Sequence, residues 1–216
     1  MSWTYVLWDW NGTLLNDVET ALAVNNVIFP RFGLKPLGSV SDYHRIFRFP
    51  IRDYYRDAGV PDEMFDQVAS AWSEGYMEMS QDCALHEGAV ETLEAFHKAG
   101  LYQAILSASK QEHLHEQLAR FPIGTYFEAA LGLSHIYATS KVQLAKDFLK
   151  NHQVDPQQAI FLGDTLHDAE VAREIGCGCA LIAGGHQAQP TLLQAGVPVL
   201  KDLAEAAEYV LKGLSH

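Results

Sequence analysis

Apolar runs of strand length alternate with helix-period segments along most of this 216-residue chain, and most of the runs stop at an acidic, hydroxyl or glycine residue. Residues 4–8 stop at Asp9 and a glycine-containing turn, residues 101–106 at Ser107, residues 159–162 at Gly163-Asp164, and residues 179–183 at Gly184-Gly185. Residues 129–133 and 197–200 are two further runs. Between them, Val90, Leu93 and Phe96 share one helical face, closed by Gly100. Leu144, Ala145, Phe148 and Leu149 do the same in residues 141–152, and residues 167–175 and 203–211 behave similarly. Strand–helix alternation predicts an α/β fold with a doubly wound parallel sheet. Ligands in such sheets sit beyond the carboxyl ends of the strands, so Asp9, Ser107 and Asp164 are expected along one edge.

One stretch interrupts the alternation. Residues 15–84 hold no clear buried strand; Val18, Leu22 and residues 28–32 suggest one helix, and residues 45–58 and 63–79 suggest others. The expected division is a core of residues 1–14 and 85–216, with residues 15–84 as an all-helical cap. The insertion begins directly after the Asp9 loop, where a lid over the strand ends would begin.

A net charge of −12 argues against a nucleic-acid or anionic-membrane partner. A phosphate site here must make its own local positive field, from a metal, a lysine and backbone N–H groups. No segment approaches the roughly 18 consecutive apolar residues of a membrane span, and the N-terminal residues lack a basic region followed by an apolar stretch. Cys83, Cys177 and Cys179 show no disulfide framework. These features predict a cytoplasmic protein, monomer or homodimer, acting on a small molecule.

The chemistry is concentrated at the run ends. Asp9, before Trp10-Asn11-Gly12-Thr13, is a carboxylate on a rigid platform, able to attack an electrophile or hold a metal. Asp164 and Asp168 are one helical turn apart and can face one point. Ser107 and the backbone after it, at Ala108, suit a phosphate oxygen. Lys141 opens a helix, where the macrodipole disfavours a cation, so a neighbouring anion is expected. Arg45, Arg48 and Arg52 are spaced for one helical face, either as a solvated stripe or as a patch selecting a second anionic group on the substrate. His44 and His186 are candidates to approach the site, and Trp8, Tyr54 and Tyr55 read as core.

In combination these residues resemble the four motifs of the haloacid dehalogenase superfamily, closest to its phosphoglycolate-phosphatase-like members with a helical cap. Asp9, Asn11 and Thr13 stand on the first motif, Asp-x-Asp-x-Thr; Ser107, Lys141 and the set Gly163, Asp164 and Asp168 stand on the other three. The resemblance implies a phosphohydrolase with Asp9 as nucleophile and a catalytic set of Asp9, Asn11, Ser107 and Lys141. It implies a phosphate site of Asp9, Trp10, Asn11, Ser107, Ala108 and Lys141. It also implies Mg²⁺ on Asp9, Asn11, Asp164 and Asp168, and a small phosphorylated substrate.

Asn11 departs from the family pattern, which has at that position an Asp serving as general acid and base. An amide delivers no proton, and general acid–base catalysis is worth roughly 10²–10⁴ in rate. Four readings follow: a slow phosphatase, a hydrolase of good leaving groups such as acyl phosphates, a carbon–phosphorus hydrolase, or a phosphate binder with little turnover. The third needs a Schiff-base lysine in the cap, where Lys35 is the sole lysine. Asn11→Asp is expected to raise activity on poor leaving groups.

Overall fold

The computed structural model describes residues 3–137 and 141–214. The first run forms β1 (Tyr5–Trp8), whose alternate side chains enter opposite apolar layers: Val6 and Trp8 one, Leu7 the other. After β1 come β2 (Leu15–Asn16), the helices α1 (Val18–Arg31), α2 (Val40–Ile46), α3 (Ile51–Asp57) and α4 (Phe65–Met79), and β3 (Ala84–Leu85). The alternation then resumes with α5 (Ala89–Lys98), β4 (Tyr102–Lys110), α6 (Gln111–Leu118), β5 (Ala129–Leu133), α7 (Val142–Asn151), β6 (Ala159–Gly163) and α8 (Leu166–Ile175). It closes with β7 (Gly178–Ile182), the short α9 (Gln189–Leu192), β8 (Val199–Leu200) and α10 (Leu203–Lys212).

Six strands form one sheet in the order β5-β4-β1-β6-β7-β8, every pairing parallel. α5, α6 and α10 cover the Trp8 face, where Leu93, Phe96, Leu114, Leu203 and Val210 are buried. α7 and α8 cover the Leu7 face through Ala145, Phe148, Val171 and Ile175. The expected α/β fold is therefore present, with β1 at its centre and both faces buried.

One polar residue is built into this core. Gln103, fully buried, accepts from the Trp8 indole Nε1 at 3.0 Å and donates to the Leu93 carbonyl at 3.0 Å. Gln103→Leu strands that indole N–H and is expected to cost about 1–3 kcal/mol, read as a lower urea midpoint at an unchanged slope.

The insertion departs from expectation in two places. β2 and β3 pair antiparallel and tie its two ends together; two-residue strands carry no readable period. The helix expected over residues 45–58 is two helices, α2 and α3, divided at Pro50, whose ring disfavours a helical conformation in Phe49. The insertion buries its own apolar residues, among them Phe29, Tyr43, Tyr55, Phe65 and Val68. β4 also runs three residues past Ser107, to Lys110, because Lys110 re-pairs with Leu133 after a register shift. Among the described residues no helix is long and apolar enough to cross a membrane.

Candidate active site

The ends of β1 and β6 and the irregular stretch of β4 after Leu106 place Asp9, Asp164 and Ser107 on one edge of the sheet, where α1 and α4 of the insertion face them. After Asp9 the chain turns tightly: the amides of Leu14 and Leu15 both donate to the Trp10 carbonyl, at 3.0 and 2.9 Å. Gly12 sits at φ +75° within the turn, and a Cβ there would collide with the Asp164 carboxylate. Position 12 therefore tolerates only glycine on both conformational and steric grounds. The Trp10 side chain is fully buried in the core, its Nε1 donating to Gln117 at 3.0 Å. That leaves only the Trp10 backbone for a part in the site.

Both acids after β6 are buried and oriented. Asp164 accepts from the Thr13 hydroxyl at 2.9 Å and from the His186 amide at 2.6 Å. Asp168 closes a capping box at the start of α8, accepting from the Thr165 amide and hydroxyl at 2.9 and 2.7 Å. Its other oxygen meets the Lys141 ammonium at 2.8 Å, and Lys141 also pairs with Asp9. Lys141 is 1% exposed and caps α7, so the anions expected beside it are Asp9 and Asp168.

Asp9, Asp164 and Asp168 each offer an oxygen within 4.8 Å of the others. Burial pushes the Asp9 carboxyl up to about 8 against the pull of Lys141, and Asp168 and Asp164 add to the rise. Burial likewise lifts Asp164 to about 6, with His186 opposing. Burial also works against charge on Asp168, but Lys141 outweighs it and holds that carboxyl below its usual range. Three buried carboxylates facing one ammonium leave the site short of positive charge. All-oxygen donors at this spacing fit a hard divalent cation.

The side chain of Asn11 is engaged on every polar atom. Its amide nitrogen donates to Asp17 at 2.9 Å and to the Tyr76 hydroxyl at 2.6 Å, while its oxygen accepts from Ser109 at 2.6 Å. Asp17 is buried too; it accepts from the Gly12 amide at 2.8 Å and from Tyr76, and faces His186 Nε2 at 3.3 Å. His186 Nδ1 lies 2.8 Å from the Tyr43 hydroxyl. Burial opposes a charged His186, but Asp17 overcomes it and raises the imidazole to about 9. Asp17, Tyr43 and Tyr76 come from the insertion, and Asn11, Ser109 and His186 from the core, so this network pins one to the other.

Of the residues singled out in the sequence, Asp9, Asn11, Ser107, Ala108, Lys141 and Asp168 line one cavity, and Asp164 closes on the same point from behind the turn. His44 approaches the site indirectly, bonding the Gly185 carbonyl at 2.9 Å. Arg45, Arg48 and Arg52 are not brought to the cavity; they face solvent and pair with Asp42, Asp57 and Asp66 at 2.7, 2.9 and 3.9 Å. Sequence reasoning missed Asp17, Tyr76 and Ser109. Asp17 looks like an ordinary cap before α1, and nothing near it in sequence announces its partners.

A family model described as haloacid dehalogenase-like hydrolase matches residues 6–182. The chain is 24% identical to phosphoglycolate phosphatase 1 of Pseudomonas aeruginosa, covering 95% of this chain and 82% of that one. It is 23% identical to phosphoglycolate phosphatase of Synechococcus elongatus, covering 88% of each. A haloacid dehalogenase-like family hydrolase from Streptococcus pneumoniae superposes with a TM-score of 0.84 at 20% identity, over 96% of this chain and 98% of that one.

Proposed function

This chain belongs to the haloacid dehalogenase-like hydrolases, and from that premise we propose that it hydrolyses a small phosphate ester with Asp9 as nucleophile and Mg²⁺ as cofactor. The observation that carries the reading is Asp9 at a strand end, paired with Lys141 and within 4.8 Å of Asp164 and Asp168. The Asp9 carboxylate attacks phosphorus, and the bond to the ester oxygen breaks as the Asp9–phosphate bond forms. Water then attacks phosphorus, inorganic phosphate leaves, and the carboxylate is regenerated. Lys141 and Ser107 hold the phosphate's other oxygens. Asp9, Asp164, Asp168 and the Asn11 backbone carbonyl would hold the cation, which supplies positive charge against the phosphate when bound.

Asn11 cannot hand a proton to the departing oxygen, so leaving groups that need none depart fastest. Acyl and aryl phosphates are therefore expected to outpace alkyl esters. Among the described residues, Lys35 does not line the cavity, so no observation favours carbon–phosphorus cleavage. The test is phosphate release from p-nitrophenyl phosphate and acetyl phosphate: present with Mg²⁺, abolished by chelator, restored by excess metal. No release from either substrate sinks the reading and leaves a phosphate binder.

The metal has a signature independent of turnover. Asp9 and Asp164 have folded values of about 8 and about 6, raised from 3.8. Their contribution to stability is complete below pH 3.8 and is lost as pH climbs through about 6 and then about 8. A cation bound to the folded site offsets that loss. At a hundred times its dissociation constant it adds about 2.7 kcal/mol, a rise in Tm of roughly 5–10 °C for a chain of this size. Calorimetry should show this rise with MgCl₂ at pH 8 and a much smaller one at pH 5; equal shifts at both would refute the site.

A further inference from the structure

Resting on the phosphohydrolase reading, we propose that the substrate's leaving group is an uncharged, ring-sized organic body that exchanges hydrogen bonds with Asn25, and not a carboxylate. The cavity continues from Asp9 into the insertion, where Phe47, Tyr54, Tyr55 and Trp72 line it. Asp17 is the one charged residue that the described insertion contributes to the lining, and it is engaged by Asn11, Tyr76 and His186. The insertion's arginines at 45, 48, 52 and 56 pair instead with surface acids. Lys110 reaches the cavity from the core side but already carries Glu112 as its partner. His186 is held by Asp17, Lys141 by Asp9 and Asp168, and burial keeps His113 and His167 from taking up a proton, so among the described residues a carboxylate entering here would meet no cation without a partner, which is unfavourable in an aromatic enclosure.

The second observation is a set of unmet polar atoms at the same place. Asn25 is wholly buried on α1, and neither its amide nitrogen nor its oxygen has a hydrogen-bond partner. The Tyr54 hydroxyl is close enough to Asn25 for the amide to pull against the rise that burial gives it, but the two do not meet in hydrogen-bonding geometry, and Trp72 Nε1 is unpartnered as well. Buried polar groups in folded proteins are nearly always paired. These three line a cavity, so a ligand bearing both a donor and an acceptor, such as a hydroxyl or a primary amide, completes them. Flat aromatic walls with a few polar points suit a ring, whether a sugar or an aryl group. The phosphoglycolate of the relatives' names offers the opposite: a short body ending in a carboxylate.

The test uses three arylphosphonates of equal size, which bind without being hydrolysed. Their dissociation constants are measured by calorimetry on the whole protein with Mg²⁺. The 4-hydroxymethyl compound is expected to bind about tenfold or more tighter than the 4-carboxy compound, by the buried-charge argument. Asn25→Leu should weaken the 4-hydroxymethyl compound by about tenfold and leave the 4-methyl compound within about twofold. Tyr54→Phe should repeat the pattern at smaller amplitude should Asn25→Leu fail to fold. Equal or tighter binding of the carboxylate overturns the proposal, as does no binding by any of the three, or equal weakening of the hydroxymethyl and methyl compounds in both variants. Phosphate release by the same preparations reports on the parent reading separately. Turnover without a neutral preference sinks only this inference, and a neutral preference without turnover sinks only the phosphohydrolase reading.

Discussion

Asp9→Asn is expected to lose phosphate release by on the order of 10⁴-fold or more, the scale on which removal of a covalent nucleophile acts, while the metal-free protein at pH 8 melts no lower than the parent. The two halves of this result have one cause. Burial holds the Asp9 carboxyl at about 8, so at that pH its ionisation opposes folding rather than supporting it. An amide of the same shape removes that penalty and the nucleophile together. Lys141 keeps Asp168 as a partner at 2.8 Å, so no buried ammonium is abandoned. The variant should also show a smaller Tm rise with Mg²⁺, since one of three carboxylates is gone. Initial rates on p-nitrophenyl phosphate and calorimetry with and without metal check both halves. A stable variant that retained a tenth of the parent's rate would falsify Asp9 as nucleophile.

The second large effect belongs to the pair Asn11 and Asp17. The sequence predicts that Asn11→Asp alone gains activity; the contacts revise that. The new carboxylate would stand 2.9 Å from the buried Asp17 carboxylate, in place of an amide that donates to it. An unpaired buried charge costs about 3–5 kcal/mol, unless the two acids share a proton as one coupled unit. Asn11→Asp is therefore expected to unfold at markedly lower urea. The double variant Asn11→Asp with Asp17→Asn restores one amide and one carboxylate in reversed order; Ser109 can still donate to position 11, and the Tyr76 hydroxyl, which accepts from Asn11 and donates to Asp17 in the parent, can reverse both bonds. It should recover at least half of the lost stability and exceed the parent by roughly 10² in rate on alkyl phosphates, the value of a positioned general acid. A double-mutant cycle measures the coupling. Equal stability of the single and double variants would show that the two side chains do not interact as described.

Much of the fold could be read from the chain because its signals are local. The continuous apolar run of β1 and the 3.6-residue periodicity in α5, α7, α8 and α10 appear within windows of about ten residues, and parallel order follows from their alternation. Asp9, Asp164, Asp168 and Lys141 were legible for the same reason: each stands at the end of an element, and the rule that strand ends converge needs no knowledge of side-chain packing. The apolar spacing on either side of Pro50 is continuous enough to read as one helix, and it is the proline that divides α2 from α3. The continuation of β4 to Lys110 depends on its pairing with β5, which no local window contains.

The network around Asn11 was out of reach for a stronger reason. Its members lie at positions 11, 17, 43, 76, 109 and 186, and no spacing relates them until the insertion docks on the sheet edge. The sequence alone settled that acids follow β1 and β6, that a hydroxyl follows the apolar run of β4 and that an amine opens α7, because backbone periodicity is a property of neighbouring residues. Only the tertiary structure decided that Asn11 is held by Asp17, that Arg45, Arg48 and Arg52 face away from the cavity, and that Asn25 waits unpaired inside it. Those outcomes depend on which groups are removed from water together, and burial is a property of the assembled fold, not of any segment.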